Sequence, residues 1–183
     1  PLEALKESLD RHWDSLGLDE NTHWGRYWRK HAEAMVERLA THFSSWPGEV
    51  LTEETMRFEV GDGTVYGRID RLEIYQDGSA RVVDIKTGRA ISERAAQDNL
   101  QLKAYQLGVA TEKSMGASTR KLRPAGAALL QVSPDAGKAF VSQPGLDTEQ
   151  IAEFQSRLVS DAARLAGSAF EARVGAACRT CPF

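Results

Sequence analysis

Residues 67–88 read GRIDRLEIYQDGSARVVDIKTG, and the alternation of side chains in this stretch decides the fold. Apolar and polar residues alternate on both sides of the turn sequence QDGS at 76–79, which predicts two antiparallel β-strands joined by a tight turn. With the turn centred near Asp77, Leu72 lies opposite Val82. This register decides which side chains meet across the two strands.

Two carboxylates meet in that register, because Asp70 lies opposite Asp84 with Cβ atoms roughly 4.5–5.5 Å apart. They repel each other unless a cation lies between them, and Mg²⁺ is a hard ion that prefers oxygen ligands. Lys86 follows Asp84 by two residues and shares its face of the strand, where an ammonium can contact a phosphate or its attacking water. Ile85 points to the other face, but its backbone carbonyl can reach the same cation. A register shift of one residue would turn Asp70 away.

A solvated strand face with a surface ion pair is the alternative interpretation of these charges. Three features argue against it. The neighbours Val82, Val83 and Ile85 predict a buried strand, where an unpaired carboxylate is costly. Gly67 allows close backbone approach just before Asp70. Gly88 ends the strand directly after Lys86, as expected where a sheet edge opens onto a substrate.

The rest of the chain predicts an α/β fold, with a mixed central sheet flanked by helices in the order α-βββ-α-β-β-α. Helical spacing marks residues 2–43, with Asp19 or Asn21 as candidate cap of its main part, residues 93–115, and a final helix that begins at Asp147 or Thr148. Strands are predicted at 55–60, 64–75, 80–87, 126–132 and 138–142.

Two helical segments carry further candidate residues. Gln97, Gln101 and Tyr105 recur every four residues, so they share a helix face from which they could orient Lys86 or bind a phosphate. A solvent-facing stripe is the alternative.

The helix predicted over residues 2–43 interleaves aromatic and basic residues. This pattern fits either a surface that stacks DNA bases or, as we favour, an amphipathic helix with its aromatic rings in the core. Those residues are Trp24, Arg26, Tyr27, Trp28, Arg29 and Lys30.

The bulk composition limits the class of protein. The 183 residues fit one domain, and a net charge of −3 gives no general attraction for nucleic acid, although a bound cation restores local positive potential. No apolar run is long enough to cross a bilayer, and two cysteines do not make a secreted disulfide framework, so we expect a cytoplasmic protein. The first residue is Pro1, and we expect residues 1–183 to be a single domain of a longer polypeptide.

Three segments taken together, GRIDR at 67–71, VDIKTG at 83–88 and QLKAY at 101–105, resemble the RecB-type nuclease family of the PD-(D/E)xK superfamily. The resemblance spans about residues 55–132 and implies a restriction-endonuclease-like core. Such domains stand at the C-termini of RecB, AddA/AddB and AdnA/AdnB helicase–nucleases. It therefore implies a deoxyribonuclease, exonuclease or endonuclease, that acts in double-strand-break repair and recombination.

The resemblance also implies a role for each site residue. Asp70 and Asp84 resemble the ligands of Mg²⁺ or Mn²⁺, together with the backbone carbonyl of Ile85, and Lys86 resembles the catalytic lysine. Gln101 and Tyr105 match the family motif Gln-x-x-x-Tyr. The implied partners are DNA, a helicase domain in the same parent chain and a sister helicase–nuclease subunit; no membrane is implied.

The chain departs from the family pattern in two ways. His12, His23, His31 and His42 all lack the small-residue context of the family's metal-binding histidine, which we expect upstream of Pro1. Cys178 and Cys181 resemble part of the [4Fe-4S] ligand set of AddB-like and CRISPR-adaptation nucleases, and two cysteines cannot complete a cluster in this chain. A catalytically inactive DNA-binding or scaffold homologue, a CRISPR-associated or stand-alone nuclease, and a small α/β binding domain remain as alternatives.

Overall fold

The computed structural model describes residues 1–111, 122–167, 174–175 and 178–179. Its centre is one five-stranded sheet with helices on both faces. In chain order the elements are α1 (Leu2–Trp13), α2 (His23–Ser45), β1 (Glu49–Val60), β2 (Gly63–Ile74), β3 (Ser79–Lys86), α3 (Glu93–Gln97), α4 (Leu100–Ala110), β4 (Arg123–Gln131), β5 (Phe140–Pro144) and α5 (Thr148–Ala166).

The sheet order β1-β2-β3-β4-β5 follows the order of the chain. The first three strands form the predicted antiparallel meander, and Leu72 pairs with Val82 as predicted. β4 pairs parallel to β3 and lies inside the sheet, as its apolar sequence indicated, and β5 returns antiparallel at the edge. Parallel neighbours need a long crossover, which here contains α3 and α4. The predicted mixed sheet flanked by helices is confirmed.

The first helical segment is two helices, because residues 14–22 turn the chain between α1 and α2. The cap of α2 is Thr22, whose hydroxyl accepts a hydrogen bond from the Gly25 amide at 2.9 Å. The predicted caps Asp19 and Asn21 are therefore wrong. They precede the true cap and bond to each other, since the Asp19 carboxylate accepts from the Asn21 amide.

The helix predicted over residues 93–115 is also wrong as one element. It divides into α3 and α4, with Asn99 capping α4 by accepting from the Leu102 amide, and α4 ends at Ala110. Residues 112–115 lie outside the described part of the chain. The buried Gln143 side chain on β5 holds the break, because its Nε2 donates to the carbonyls of Ala96, Gln97 and Asn99.

Apolar side chains pack against both faces of the sheet. One face carries the larger core beneath α4 and α5, which includes Leu72, Val82, Leu102, Leu129 and Phe154. On the other face, Met35 and Leu39 of α2 pack against Val83, Leu130 and Val132.

The final helix begins as predicted, since Asp147 caps it in a reciprocal pair with Gln150. Within the described residues, no helix combines the length and apolar character that a bilayer crossing requires.

Candidate active site

The end of β3 presents two charged side chains to the α4 side of the sheet. Ala80 and Val82 lie in the core beneath α4, and the two-residue period of a strand places Asp84 and Lys86 on that same face. Val83 and Ile85 pack on the opposite side with the α2 cluster. The face predicted for Asp84 and Lys86 therefore lies beside α4.

Asp70 lies where β2 separates from β3. The pairing of these strands stops at Arg71 and Val83, one step before Asp70 would lie opposite Asp84. Beyond that point the Asp70 carboxylate takes the place of a backbone acceptor, because its Oδ2 accepts a hydrogen bond from the Ile85 amide at 2.8 Å. A side chain therefore joins the two strands at the site, where a ladder of backbone hydrogen bonds would otherwise continue.

The neighbouring strand β1 is distorted at the same level. Glu53 has φ of 56°, the one positive value outside glycine among the described residues, and the β1–β2 ladder omits it and Asp70. Before this point the β2 residues that enter the core are odd-numbered, as are Val65 and Ile69. After it they are even-numbered, as are Leu72 and Ile74. Asp70 thus lies where the core-facing side chains of β2 switch from odd to even positions, and its carboxylate turns toward β3.

Asp84 is a buried carboxylate with little compensation. Its Oδ2 lies 2.7 Å from Lys86 Nζ, yet accepts no well-oriented hydrogen bond from the described residues. Burial raises the pKa of Asp84, the charge of nearby Asp70 raises it further, and the Lys86 ammonium acts in the opposite direction. Two carboxylates and one ammonium therefore converge at this point with one carboxylate oxygen incompletely satisfied.

A chain of polar contacts ties Lys86 to α4. Lys86 Nζ donates to Gln101 Oε1 at 3.3 Å, Gln101 Nε2 donates to the Tyr105 hydroxyl at 2.8 Å, and that hydroxyl donates to the Arg68 carbonyl at 3.0 Å. Burial, followed by the charges of Asp84 and Asp70, raises the pKa of Tyr105, so the phenol keeps its proton. Gln97, predicted on the same face, lies on the separate helix α3.

Gly67 lies beside this chain of contacts. A Cβ at this position would lie 3.3 Å from Met56 Cε and 3.5 Å from Tyr105 Cε1. The Tyr105 distance is an ordinary van der Waals contact, so only the flexible end of Met56 would have to shift to admit a side chain here. Both neighbours are side-chain atoms, so among the described residues the close backbone approach predicted at Gly67 is not made.

Comparison with protein families decides what this arrangement belongs to. The family model described as PD-(D/E)XK nuclease superfamily matches residues 1–183. The chain belongs to the PD-(D/E)XK nuclease superfamily. The restriction-endonuclease-like fold class predicted from the sequence is confirmed by this match together with the mixed sheet.

One solved structure of low sequence identity shares the fold of this superfamily member, and a second shows a weaker likeness. A protein named "Putative exonuclease" from Eubacterium rectale is 13% identical, with a TM-score of 0.53 over 100% of this chain and 77% of its own. A second, named SSO0001, is 22% identical, with a TM-score of 0.41 over 78% of this chain and 69% of its own. No protein of curated function matches the sequence.

PD-(D/E)XK nucleases generally use divalent metal ions, and the donors at this site fit such an ion. The buried, unsatisfied Oδ2 of Asp84 and the neighbouring Asp70 are hard oxygen donors whose mutual repulsion a divalent cation would remove. The backbone carbonyl of Ile85 lies between Asp84 and Lys86 in the chain. Among the described residues, no group of three or more His, Cys, Asp or Glu side chains could hold a metal ion, so the candidate side-chain donors at this point are the two aspartates.

A second charged cluster, which was not predicted from the sequence, lies on the α2 face of the sheet. Glu73 is fully buried, and its carboxylate accepts hydrogen bonds from Arg71, Arg81 and His42 at 2.6–3.0 Å. Burial alone would raise the pKa of Glu73, but the His42, Arg71 and Arg81 contacts outweigh it and lower the pKa to about 2. Arg71 and Glu73 alternate with the apolar Leu72 and Ile74 near the end of β2, and this pattern was the available signal.

The remaining candidates lie away from the two aspartates. His42 contacts Glu73 on the opposite face, and His31 packs against Trp28 near the start of α2. Cys178 is exposed, and its Sγ accepts from the Gly175 amide at 3.3 Å. Cys181, the second predicted cluster ligand, lies outside the described residues.

Proposed function

We propose that this chain is the DNA-cleaving domain of a RecB-type helicase–nuclease, with Asp70, Asp84 and Lys86 as its catalytic centre. The observation that carries the proposal is the buried Asp84 Oδ2, which lies 2.7 Å from Lys86 Nζ beside a second carboxylate. A buried carboxylate beside a second, partly exposed one is poorly stable alone and well suited to a hard cation.

The chemistry we propose is hydrolysis of a DNA phosphodiester. Asp70 and Asp84 would hold Mg²⁺ or Mn²⁺ with help from the Ile85 carbonyl. When bound, such an ion supplies Lewis-acid stabilisation of phosphate charge and activates water. The Lys86 ammonium would contact the scissile phosphate or the attacking water, where it stabilises the negative charge that develops in the transition state. Gln101 and Tyr105 are positioning residues, because they reach the reaction through Lys86.

The helicase partnership and the role in double-strand-break repair rest on the three motifs around residues 67–105 and on nothing in the fold. A CRISPR-adaptation nuclease is the competing context for the same motifs. The two differ in the encoded protein, since the helicase context requires a nucleotide-binding P-loop motor in the same polypeptide. ATP dependence of processive degradation would support the helicase context.

The test is cleavage of end-labelled linear DNA and of circular DNA by the full-length encoded protein and by the 183-residue chain, with Mg²⁺, Mn²⁺ or EDTA. We expect Asp84→Ala and Lys86→Ala to abolish cleavage, because each removes a group that acts on the metal or the phosphate. Asp62→Ala and Lys138→Ala are matched controls at exposed positions. Wild-type cleavage by either site variant would refute the assignment.

A catalytically inactive DNA-binding domain is the second candidate function. It is favoured by one observation, the lack of a third His, Cys, Asp or Glu side chain beside Asp70 and Asp84 in the described residues. DNA binding by the full-length protein without cleavage in either metal would select this alternative.

A further inference from the structure

Helix α2 extends well beyond the sheet on which it packs. Its contacts with the sheet include Met35, Leu39 and His42, and Met35 is the one nearest the start of the helix. Trp24 precedes Met35 by 11 residues, which is about 16 Å of helix at 1.5 Å per residue. The first two turns of α2 therefore lie past the contact with the sheet.

The direction of α2 places those turns at the end of the sheet where the active site opens. At its C-terminal end, Trp46 packs edge-on against Tyr75, and Arg81 at the start of β3 lies over the Trp46 ring. Met35 packs in the cluster that includes Val83 and Ile85, nearer the end of β3. The helix thus runs antiparallel to β3, and its N-terminal turns project beyond the end that carries Lys86.

Four rings form one continuous aromatic patch on these turns: Trp24, Tyr27, Trp28 and His31. Trp24 stacks on Tyr27 with centroids 5.9 Å apart and planes 17° apart, and Trp28 packs edge-on against the other three at 5.2–5.4 Å. Trp24 is 61% exposed and Tyr27 48%. The favoured expectation that these aromatics lie in the core is wrong for these two residues, since the sheet ends before it can cover them. Large apolar side chains grouped on a surface mark an interaction site.

The charged side chains beside the aromatic patch indicate which kind of partner it binds. Residues 23–32 contain no Asp or Glu, in a protein whose net charge is −3. Arg26 and Lys30 are exposed, and neither forms an ion pair with a described carboxylate; Arg26 bonds to the carbonyls of Glu20 and Asn21. By contrast, Arg29, on the side toward α1, is paired with Asp10, Glu20 and Glu33. The exposed rings are therefore bordered by unneutralised cations.

We infer that the aromatic patch binds a single-stranded segment of DNA, with unpaired bases stacked on Trp24 and Tyr27 and the phosphates beside Arg26 and Lys30. Exposed ring faces accept any unstacked base, and basic side chains beside them follow the backbone, which is the composition of sequence-tolerant single-strand surfaces. An apolar protein partner would use the rings but has no need of the cations. This inference rests on the proposed function for its substrate, DNA, and adds a preference for unpaired strands.

The experiment measures binding of fluorescein-labelled oligothymidylate, and of a blunt duplex of equal length, to the 183-residue chain in EDTA. We expect the double variant Trp24→Ala/Tyr27→Ala to weaken single-strand binding by roughly tenfold or more, because bases can no longer stack on these two rings. Duplex binding should change much less, since paired bases are not available to stack. Lys30→Glu should weaken binding to both and reduce its salt dependence.

Three controls make the result specific. Trp24→Phe/Tyr27→Phe keeps the ring faces and should retain most of the affinity. Leu165→Ala removes an exposed apolar side chain from α5 and should bind like the wild type. Circular dichroism and thermal unfolding should be unchanged in the alanine double variant, because both side chains are largely exposed and alanine favours a helix.

Three outcomes overturn the inference. Unchanged single-strand binding in the alanine double variant, or an equal loss on the duplex, would mean that no base stacks there. A change from dimer to monomer in sedimentation, without a change in DNA binding, would assign the patch to a second copy of the chain.

Binding in EDTA is independent of hydrolysis. Stacking without cleavage would therefore reject only the proposed nuclease activity, and cleavage without stacking would reject only this inference.

Discussion

Asp84 and Glu73 are buried carboxylates on adjacent strands, and their surroundings shift their pKa values in opposite directions. Glu73 accepts hydrogen bonds from two arginines and a histidine, so its charged form is stabilised despite burial. Asp84 has one ammonium and a neighbouring carboxylate, so burial dominates. The satisfied carboxylate stabilises the fold, whereas the unsatisfied one can still gain from a ligand.

Glu73→Gln tests the stabilising carboxylate. The folded pKa of about 2 lies below the ordinary 4.5, so the stabilisation is complete above the higher value and is lost as pH falls toward the lower one. We expect the variant to lose about 3 kcal/mol of unfolding free energy near pH 7. Denaturant unfolding of both proteins should show this difference shrinking as pH falls to about 3.

The control for that series is Glu153→Gln, a change at an exposed carboxylate of α5, which should leave the unfolding free energy nearly unchanged at every pH. A Glu73→Gln difference that stays constant across the pH range would contradict the assignment of a charged, paired Glu73.

The common face of the candidate residues Asp84 and Lys86 could be predicted because the two-residue period of a strand fixes which side chains share a face. Asp84 and Lys86 follow from that rule alone. The Asp70 hydrogen bond to the Ile85 amide could not, because it depends on where β2 separates from β3, and a separating strand has the same sequence pattern as a paired one. The contacts of Glu73 were hidden for a related reason, since His42 comes from a helix 31 residues away.

At the scale of elements, packing between α4 and β1 controls the position of Gln101 and Tyr105. Gly108 makes this packing possible, because a Cβ there would lie 2.0 Å from Met56 Sδ and 2.6 Å from Met56 Cγ. The helix carries the contacts to Lys86 at its other end. The closeness of the two backbones therefore fixes the helix that orients the lysine.

Gly108→Ala is expected to destabilise the protein by about 1–3 kcal/mol, because the methionine side chain must move out of a packed core. Chemical unfolding measures the loss. Gly137→Ala is the matched control, since a Cβ at that position meets open space. In a Met56→Ala background, Gly108→Ala should cost much less than it does in the wild type; strictly additive effects of the two changes would show that the contact is not responsible.

Element boundaries were predicted less well than element types. β1 begins at Glu49, six residues before the predicted start, because polar residues at 52–54 and the distortion at Glu53 interrupt the apolar alternation. The break between α3 and α4 was missed because Asp98 and Asn99 are tolerated in helices. The break is held from a distance by Gln143, and no local pattern records such a contact.

At the scale of the whole molecule, an ion at the aspartate pair should stabilise the fold, because a ligand that binds only the native state shifts the folding equilibrium. At about 100 times its dissociation constant, Mg²⁺ or Mn²⁺ should add about 3 kcal/mol, which raises the melting temperature by roughly 5–10 °C in a domain of this size. Differential scanning fluorimetry with and without metal measures the shift.

Asp84→Ala should abolish that shift, and Asp62→Ala, in the exposed β1–β2 turn, should retain it. An equal shift in wild type and Asp84→Ala would place the ion elsewhere. Because this measurement needs neither DNA nor turnover, it tests the metal site separately from the proposed cleavage.

The anchoring of the α3–α4 break by Gln143 has a consequence for how this domain can vary. The glutamine belongs to the edge strand β5, and its bonds with Ala96, Gln97 and Asn99 hold the start of the helix that contacts Lys86. Its Oε1 also accepts from Gln106 on that helix. Homologues that rebuild this outermost strand would thereby adjust the alignment of the proposed catalytic groups while the side chains themselves stay the same.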